Sequence, residues 1–206
     1  RDNLNDKYRQ FGVYTEDDDL RGFRIIKGST LISSNNNPIS LDTLAEDGIG
    51  YVVYFPASTL LTVDSILNLG DLDSDGLDEI AFRTNPNPFS SNDDRGVIYI
   101  LFGEAFSHDT DGIISLKQSE TDGHVVRILP PPAPNNEIQN MNVLSDITGD
   151  GISELSLYIF RSDNCGLVGC SGNPDIISGS IILNGAMIAN EYIYGDGIIK
   201  LPTPSR

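Results

Sequence analysis

Apolar residues along this chain gather into short runs rather than into a helical stripe. Residues 23–27, 50–55, 66–69, 79–83, 97–102, 113–116, 124–129, 142–145, 154–160, 180–183, 192–194 and 198–201 are such runs, and Gly, Asn, Asp or Pro separates most of them. No amphipathic 3.6-residue period of useful length is present, so helix is not expected. Short β-branched and aromatic runs bounded by turn residues predict strands. Turns at short intervals predict an all-β chain.

The elements recur in one order. An apolar strand ends in an acidic loop, a second strand follows, and then a long loop rich in Asn, Pro, Ser and Asp. A Gly-led third strand comes next: Gly96-Val97-Ile98-Tyr99-Ile100-Leu101-Phe102-Gly103 in one unit, Gly179-Ser180-Ile181-Ile182-Leu183-Asn184-Gly185 in the other. Each unit closes with Asp-Gly-Ile-Ile-x-Leu, at 111–116 and 196–201. Four strands per unit is the make-up of a propeller blade, so β-propeller-like blades of four antiparallel strands are expected, two of them clear. An earlier strand, 48–55, reads as the third strand of a preceding, partial unit with no acidic loop before it. Gly22-Phe23-Arg24-Ile25 and His124-Val125-Val126-Arg127-Ile128 resemble each other and read as lead-ins to a unit. The run Pro130-Pro131-Pro132-Ala133-Pro134 reads as a stiff extended connector.

The acidic loops carry the chemistry. In Asp71-Leu72-Asp73-Ser74-Asp75-Gly76-Leu77-Asp78-Glu79, oxygen side chains fall at positions 1, 3, 5 and 9 and a glycine at position 6. Calcium takes about 6–8 oxygen ligands in a flexible shell. Asp71, Asp73, Asp75, the Leu77 carbonyl and Glu79 are the expected ligands, with Gly76 permitting the sharp turn. In Asp146-Ile147-Thr148-Gly149-Asp150-Gly151-Ile152-Ser153-Glu154 the same places hold Asp146, Thr148, Asp150, the Ile152 carbonyl and Glu154. Thr148 puts a neutral hydroxyl where the first loop has a carboxylate, so weaker binding is expected there. An EF-hand needs a bidentate Glu at position 12 and a following helix. Position 12 is Phe82 in one loop and Leu157 in the other, and strands follow both. The expected division is an N-terminal extension over 1–20, a partial blade over 21–62, and blades with calcium loops over 63–120 and 121–206.

Composition narrows the partners. Thirteen basic against thirty acidic residues among 206 give a net charge of −17, which opposes binding to nucleic acid or anionic membrane. No apolar run approaches the ~20 residues of a membrane-spanning helix. The chain opens at Arg1, which reads as a processed form or a piece of something longer. Cys165 and Cys170 lie in a Gly/Asn/Ser-rich loop that can turn back on itself. A disulfide between them is expected, in keeping with an oxidising compartment, the alternative being two free thiols in a cytosolic protein. His108 and His124 stand at no zinc-ligand spacing, and no Gly-x-Ser-x-Gly elbow is present.

The stretch from Gly70 to Ile80, followed by Gly96 to Gly103, resembles an FG-GAP repeat, the unit of the integrin alpha-type β-propeller and of many bacterial surface proteins. The lead-in Gly22-Phe23-Arg24-Ile25 is similar to the start of bacterial versions. The resemblance covers roughly residues 20–202 and is best over 65–116. It implies that the acidic loop joins two strands of a blade and binds calcium. This chain departs from the pattern where Glu79 and Glu154 stand in place of Asp. It departs again where Thr84-Asn85-Pro86 and Arg161-Ser162-Asp163 replace a Gly-Ala-Pro. Propellers of the family close with about seven blades, more than this chain holds. The chain is thus either a fragment of a longer propeller or a unit that stacks on copies of itself, the second being favoured.

The function expected is an extracellular or cell-surface module, stabilised by calcium, for adhesion or surface structure, with no catalysis. Its expected partner is another protein or copies of itself, with no nucleic acid and no membrane insertion. The alternatives are a self-assembling subunit of an extracellular fibre or sheath and, less favoured, a polysaccharide-acting enzyme.

Overall fold

The computed structural model describes residues 11–16, 21–34, 37–55, 62–85, 96–107, 111–131, 136–161 and 177–202. In chain order the elements are β1 (Phe11–Glu16), β2 (Arg21–Ile26), α1 (Gly28–Ser33), β3 (Gly50–Phe55), β4 (Thr62–Gly70), β5 (Glu79–Asn85), β6 (Ile98–Leu101), α2 (Glu104–Ser107), β7 (Ile113–Ser115), α3 (Leu116–Asp122), β8 (Val125–Leu129), β9 (Asn136–Leu144), β10 (Glu154–Arg161), β11 (Ile177–Leu183), α4 (Gly185–Tyr194) and β12 (Ile198–Lys200). The chain is mostly β. Its strands form three open sheets, ordered β1-β2-β3-β7, β12-β8-β6-β5-β4 and β11-β10-β9.

The sheet holding β4, β5, β6 and β8 is the middle layer. Side chains of a strand alternate between faces, and both faces of this sheet are covered. Ile80, Phe82, Tyr99 and Leu101 share a core with Phe23, Ile25, Val53 and Phe55 of the first sheet. Ala81, Ile98, Ile100 and Val126 share a second core with Met141, Leu155, Leu157 and Ile159 of the third. This explains why β6 reads as an unbroken apolar run: every one of its positions is buried. Phe23, Phe55 and Phe82 meet with ring centroids 5.0–6.2 Å apart. Each such fully buried side chain stabilises by roughly 1.5–3 kcal/mol.

Two parallel strands stitch the layers. β7 joins the outer edge of β3, and β12 joins the outer edge of β8 in the same way. Both are launched by the Asp-Gly-Ile-Ile motif. The carboxylates of Asp111 and Asp196 accept from the backbone N–H two residues on, at 3.0 and 3.1 Å. Gly112 and Gly197 take positive φ, 74° and 71°, and their carbonyls accept from Val52 and Arg127, each at 2.8 Å. The motif therefore ties each unit to the sheet before it.

One spacing separates Gly28 from Gly103, Gly48 from Gly123 and Asp71 from Asp146, and the pairing follows it. β3 lies between β2 and β7 as β8 lies between β6 and β12. The strand expected as a third strand, 48–55, is thus the counterpart of β8. Gly22–Ile25 in turn belongs to the counterpart of β6 rather than to a lead-in. Runs of continuous apolar residues look alike, and only the pairing assigns their places.

The helices correct the sequence reading further. Residues 192–194 read as a short apolar strand run but continue α4, whose first turn is capped by Asn184 accepting from Met187 N. α3 is capped by Ser115, which accepts from Gln118 N, and ends at Gly123 in the left-handed region, φ 85°. β1 lies in a stretch where no strand was expected.

Candidate metal centre

Each acidic loop joins the first two strands of its sheet and packs under the corner where the third strand turns into a helix. The backbone of the first loop is organised by its own carboxylates. Asp71 accepts from Asp75 N at 3.1 Å and from Gly76 N at 3.0 Å. Asp73 accepts from Asp75 N at 3.2 Å and Asp75 from Leu77 N at 2.7 Å. Such Asx bonds replace a strand ladder with a tight turn. Gly76 completes it at φ 89°, matched by Gly151 at 88°. Carboxylate oxygens of Asp71, Asp73 and Glu79 lie within 4.8 Å of one another. Asp75 stands outside that triplet.

Glu79 is fully buried. Its two oxygens accept from Leu72 N at 2.5 Å and from Gly103 N at 3.1 Å, so one side chain binds the loop to the β6–α2 corner. Burial pushes its carboxyl up to about 8, against these two donors, which favour the charged form. Asp73 is likewise raised, by burial first and then by the charge of Asp75. Burial also raises Asp78, while the Asn68 amide at 2.8 Å pulls it the other way.

The second loop repeats the backbone with different satisfaction. Asp146 accepts from Gly149, Asp150 and Gly151 N at 2.6, 3.2 and 2.7 Å. Asp150 accepts from Ile152 N at 3.0 Å. Oxygens of Asp146, Asp150 and Glu154 lie within 4.8 Å of one another. Glu154 is buried and accepts from Ile147 N at 2.8 Å and from the Thr148 hydroxyl at 2.9 Å. Asp150 is fully exposed, and its pKa is lowered by the Ile152 N–H first and the Asn184 amide next.

The structure thus brings together three carboxylates of each expected set and has the Thr148 hydroxyl donate to Glu154. It also adds residues the sequence reading did not single out. Asn184 Nδ2 donates to Thr148 Oγ1 and to Asp150 Oδ2, each at 3.2 Å. Tyr192, raised by burial and then by Glu104, donates to Glu104 at 2.8 Å and stacks on Phe102. An Asn one residue before a helix is a legible cap, but its reach into a loop 34 residues away is not. Cys165, Cys170 and His108 lie outside the described residues. No helix among the described residues is long and apolar enough to cross a membrane.

The donor set of the first loop suits a hard cation: clustered carboxylate oxygens, no nitrogen or sulfur ligand, and mutual repulsion left unrelieved by side-chain donors at Asp71 and Asp73. No protein-family model matches the chain, and neither does any curated protein or solved structure.

Proposed function

We propose that this chain is a calcium-stabilised, β-propeller-like module of the FG-GAP type, serving adhesion or surface structure outside the cell and carrying no catalysis. The observation that carries this reading is the recurrence of one assembly in successive sheets. An acidic loop joins the first two strands, its terminal Glu is buried beneath the third strand, and a parallel strand ties the unit to the sheet before. In this reading the three sheets are consecutive blades, and calcium is held by Asp71, Asp73 and Glu79 with Asp75 and the Leu77 carbonyl close by. A cation there offsets the burial and then the repulsion by Asp75 that raise Asp73, and locks the loop against the β6–α2 corner.

Calcium that binds only the folded state adds about 2.7–4.1 kcal/mol at 100–1,000 times its dissociation constant. Exhaustive chelation of the purified chain therefore lowers its melting temperature, and readdition of calcium restores it. An unchanged melting curve sinks the calcium reading. Self-association is the second reading. It is supported by the strand edges of β1 and β11, which carry no further strand among the described residues, since such edges template pairing. Light scattering decides it, a monodisperse monomer counting against.

A further inference from the structure

The residue at the strand–helix corner differs between the two loop-bearing sheets. In the middle sheet it is Phe102, whose ring stacks on Tyr192 with centroids 3.7 Å apart. The loop beneath is reached by the backbone instead, through Gly103 N and Glu79. In the third sheet the corner residue is Asn184. Its Oδ1 accepts from Met187 N at 3.2 Å. That bond fixes which way the amide faces and turns Nδ2 into the loop. Nδ2 then donates to Thr148 Oγ1 and Asp150 Oδ2, while the Thr148 hydroxyl hydrogen goes to Glu154.

These donors bind Asp150 Oδ2 and Glu154 Oε1, oxygens of two of the carboxylates that a cation would share. An amide N–H and a hydroxyl hydrogen cannot ligate calcium, which takes oxygen lone pairs, yet they neutralise the same acceptors through hydrogen bonds. We infer that Asn184 is a built-in donor that closes the second acidic loop without a cation, leaving the 71–79 loop as the one that takes calcium. The stoichiometry rests on the calcium reading proposed above; the role of Asn184 does not.

The test is calorimetric calcium titration of the chelator-stripped full chain, with melting curves in chelator. Wild type binds about one calcium per chain, Asp71→Asn binds none, and Asp146→Asn retains the one. Asn184→Asp keeps an oxygen to cap Met187 N but sets a carboxylate against Asp150. This variant melts lower than wild type in chelator, then gains a second calcium that restores its melting temperature. Asn184→Ser also keeps a cap and loses the Nδ2 donor, so it melts lower in chelator even should the Asp variant not fold. Two calcium ions in wild type, one of them lost in Asp146→Asn, overturn the inference. So does wild-type melting of Asn184→Ser in chelator. No binding at all by wild type removes the calcium reading of the first loop, and the Asn184 assignment then stands or falls on the calcium-free melting of the Asn184 variants.

Discussion

Residues 71–79 carry five carboxylates and residues 146–154 carry three, yet the two loops trace the same turn. Both place glycine at the sixth position in the left-handed region and bury the Glu at the ninth. Their carboxylates are satisfied differently. In the first, Asp71, Asp73 and Asp75 receive only backbone N–H groups, and Asp73 is destabilised as an anion. In the second, Thr148 and Asn184 bring side-chain donors to Glu154 and Asp150, and Asp150 is stabilised as an anion. The backbone geometry of an acidic turn is thus separable from its charge. One loop concentrates negative charge, and the other spends neutral donors on the same fold.

The terminal glutamates test that difference most severely. Glu79→Gln turns one buried acceptor into a donor that faces Leu72 N or Gly103 N. Leaving a buried N–H unsatisfied costs about 1–3 kcal/mol, so a loss of about 3 kcal/mol is expected in denaturant unfolding above about pH 8, where the Glu79 carboxyl is ionised. Glu154→Gln is expected to cost less, about 1 kcal/mol, because the Thr148 hydroxyl can rotate to donate or accept as its new partner requires. Equal losses at the two sites would break the comparison.

The loops also carry opposite pH signatures. Glu79 and Asp73 have folded pKa values above the ordinary range, so the calcium-free folded state keeps protons that the unfolded chain releases. Stability then falls as pH rises from about 4.5 towards about 8, with a slope of at most ~1.4 kcal/mol per pH unit for one proton. Asp150 has a lowered pKa, so its contribution is present above the ordinary aspartate value of 3.8 and is lost as pH falls through the folded value. Melting curves of the chelated chain between pH 4 and 9 check the first sign. Calcium bound as proposed would hold Glu79 ionised, so its addition is expected to flatten that slope, and a calcium-free stability that rises over this range would contradict the first sign.

A smaller effect separates the fourth positions. Ser74 sits at φ 65°, whereas its counterpart Gly149 has φ 81°. A side chain in the left-handed region costs roughly 1–2 kcal/mol, partly offset by the entropy of unfolded glycine. Ser74→Gly is therefore expected to raise stability by about 0.5–1 kcal/mol and Gly149→Ser to lower it by a similar amount.

A second contrast concerns what lies beyond each sheet. Across the middle sheet, Leu67, Ala81 and Ile100 stand in one cross-strand row and are covered by the third sheet. The corresponding row of the third sheet is Asn142, Ser156 and Ile182. Two of its three members are polar, and Ile182 is 53% exposed. The same strand pattern thus serves a layer covered on both faces and a layer with one solvated face.

The position of both acidic loops and the strands on either side of them were legible in the sequence, because turn residues and period-2 patterns act over a few residues. The place of each strand in its sheet was not. β3 and β6 look alike as apolar runs, and the hydrogen bonds that make β3 the counterpart of β8 come from Gly112, far along the chain. Residues 192–194 read as a short apolar run, but Asn184 starts a helix that carries through them, and Tyr192 finds its place only against Phe102. Sequence by itself determined the two turns, because Asp, Asn and Gly bind or permit their own local backbone. Tertiary structure alone decided which side-chain donors reach the carboxylates of each turn. The deciding side chain, Asn184, is brought to Asp150 by strand pairing across a long separation, and no local pattern encodes that contact.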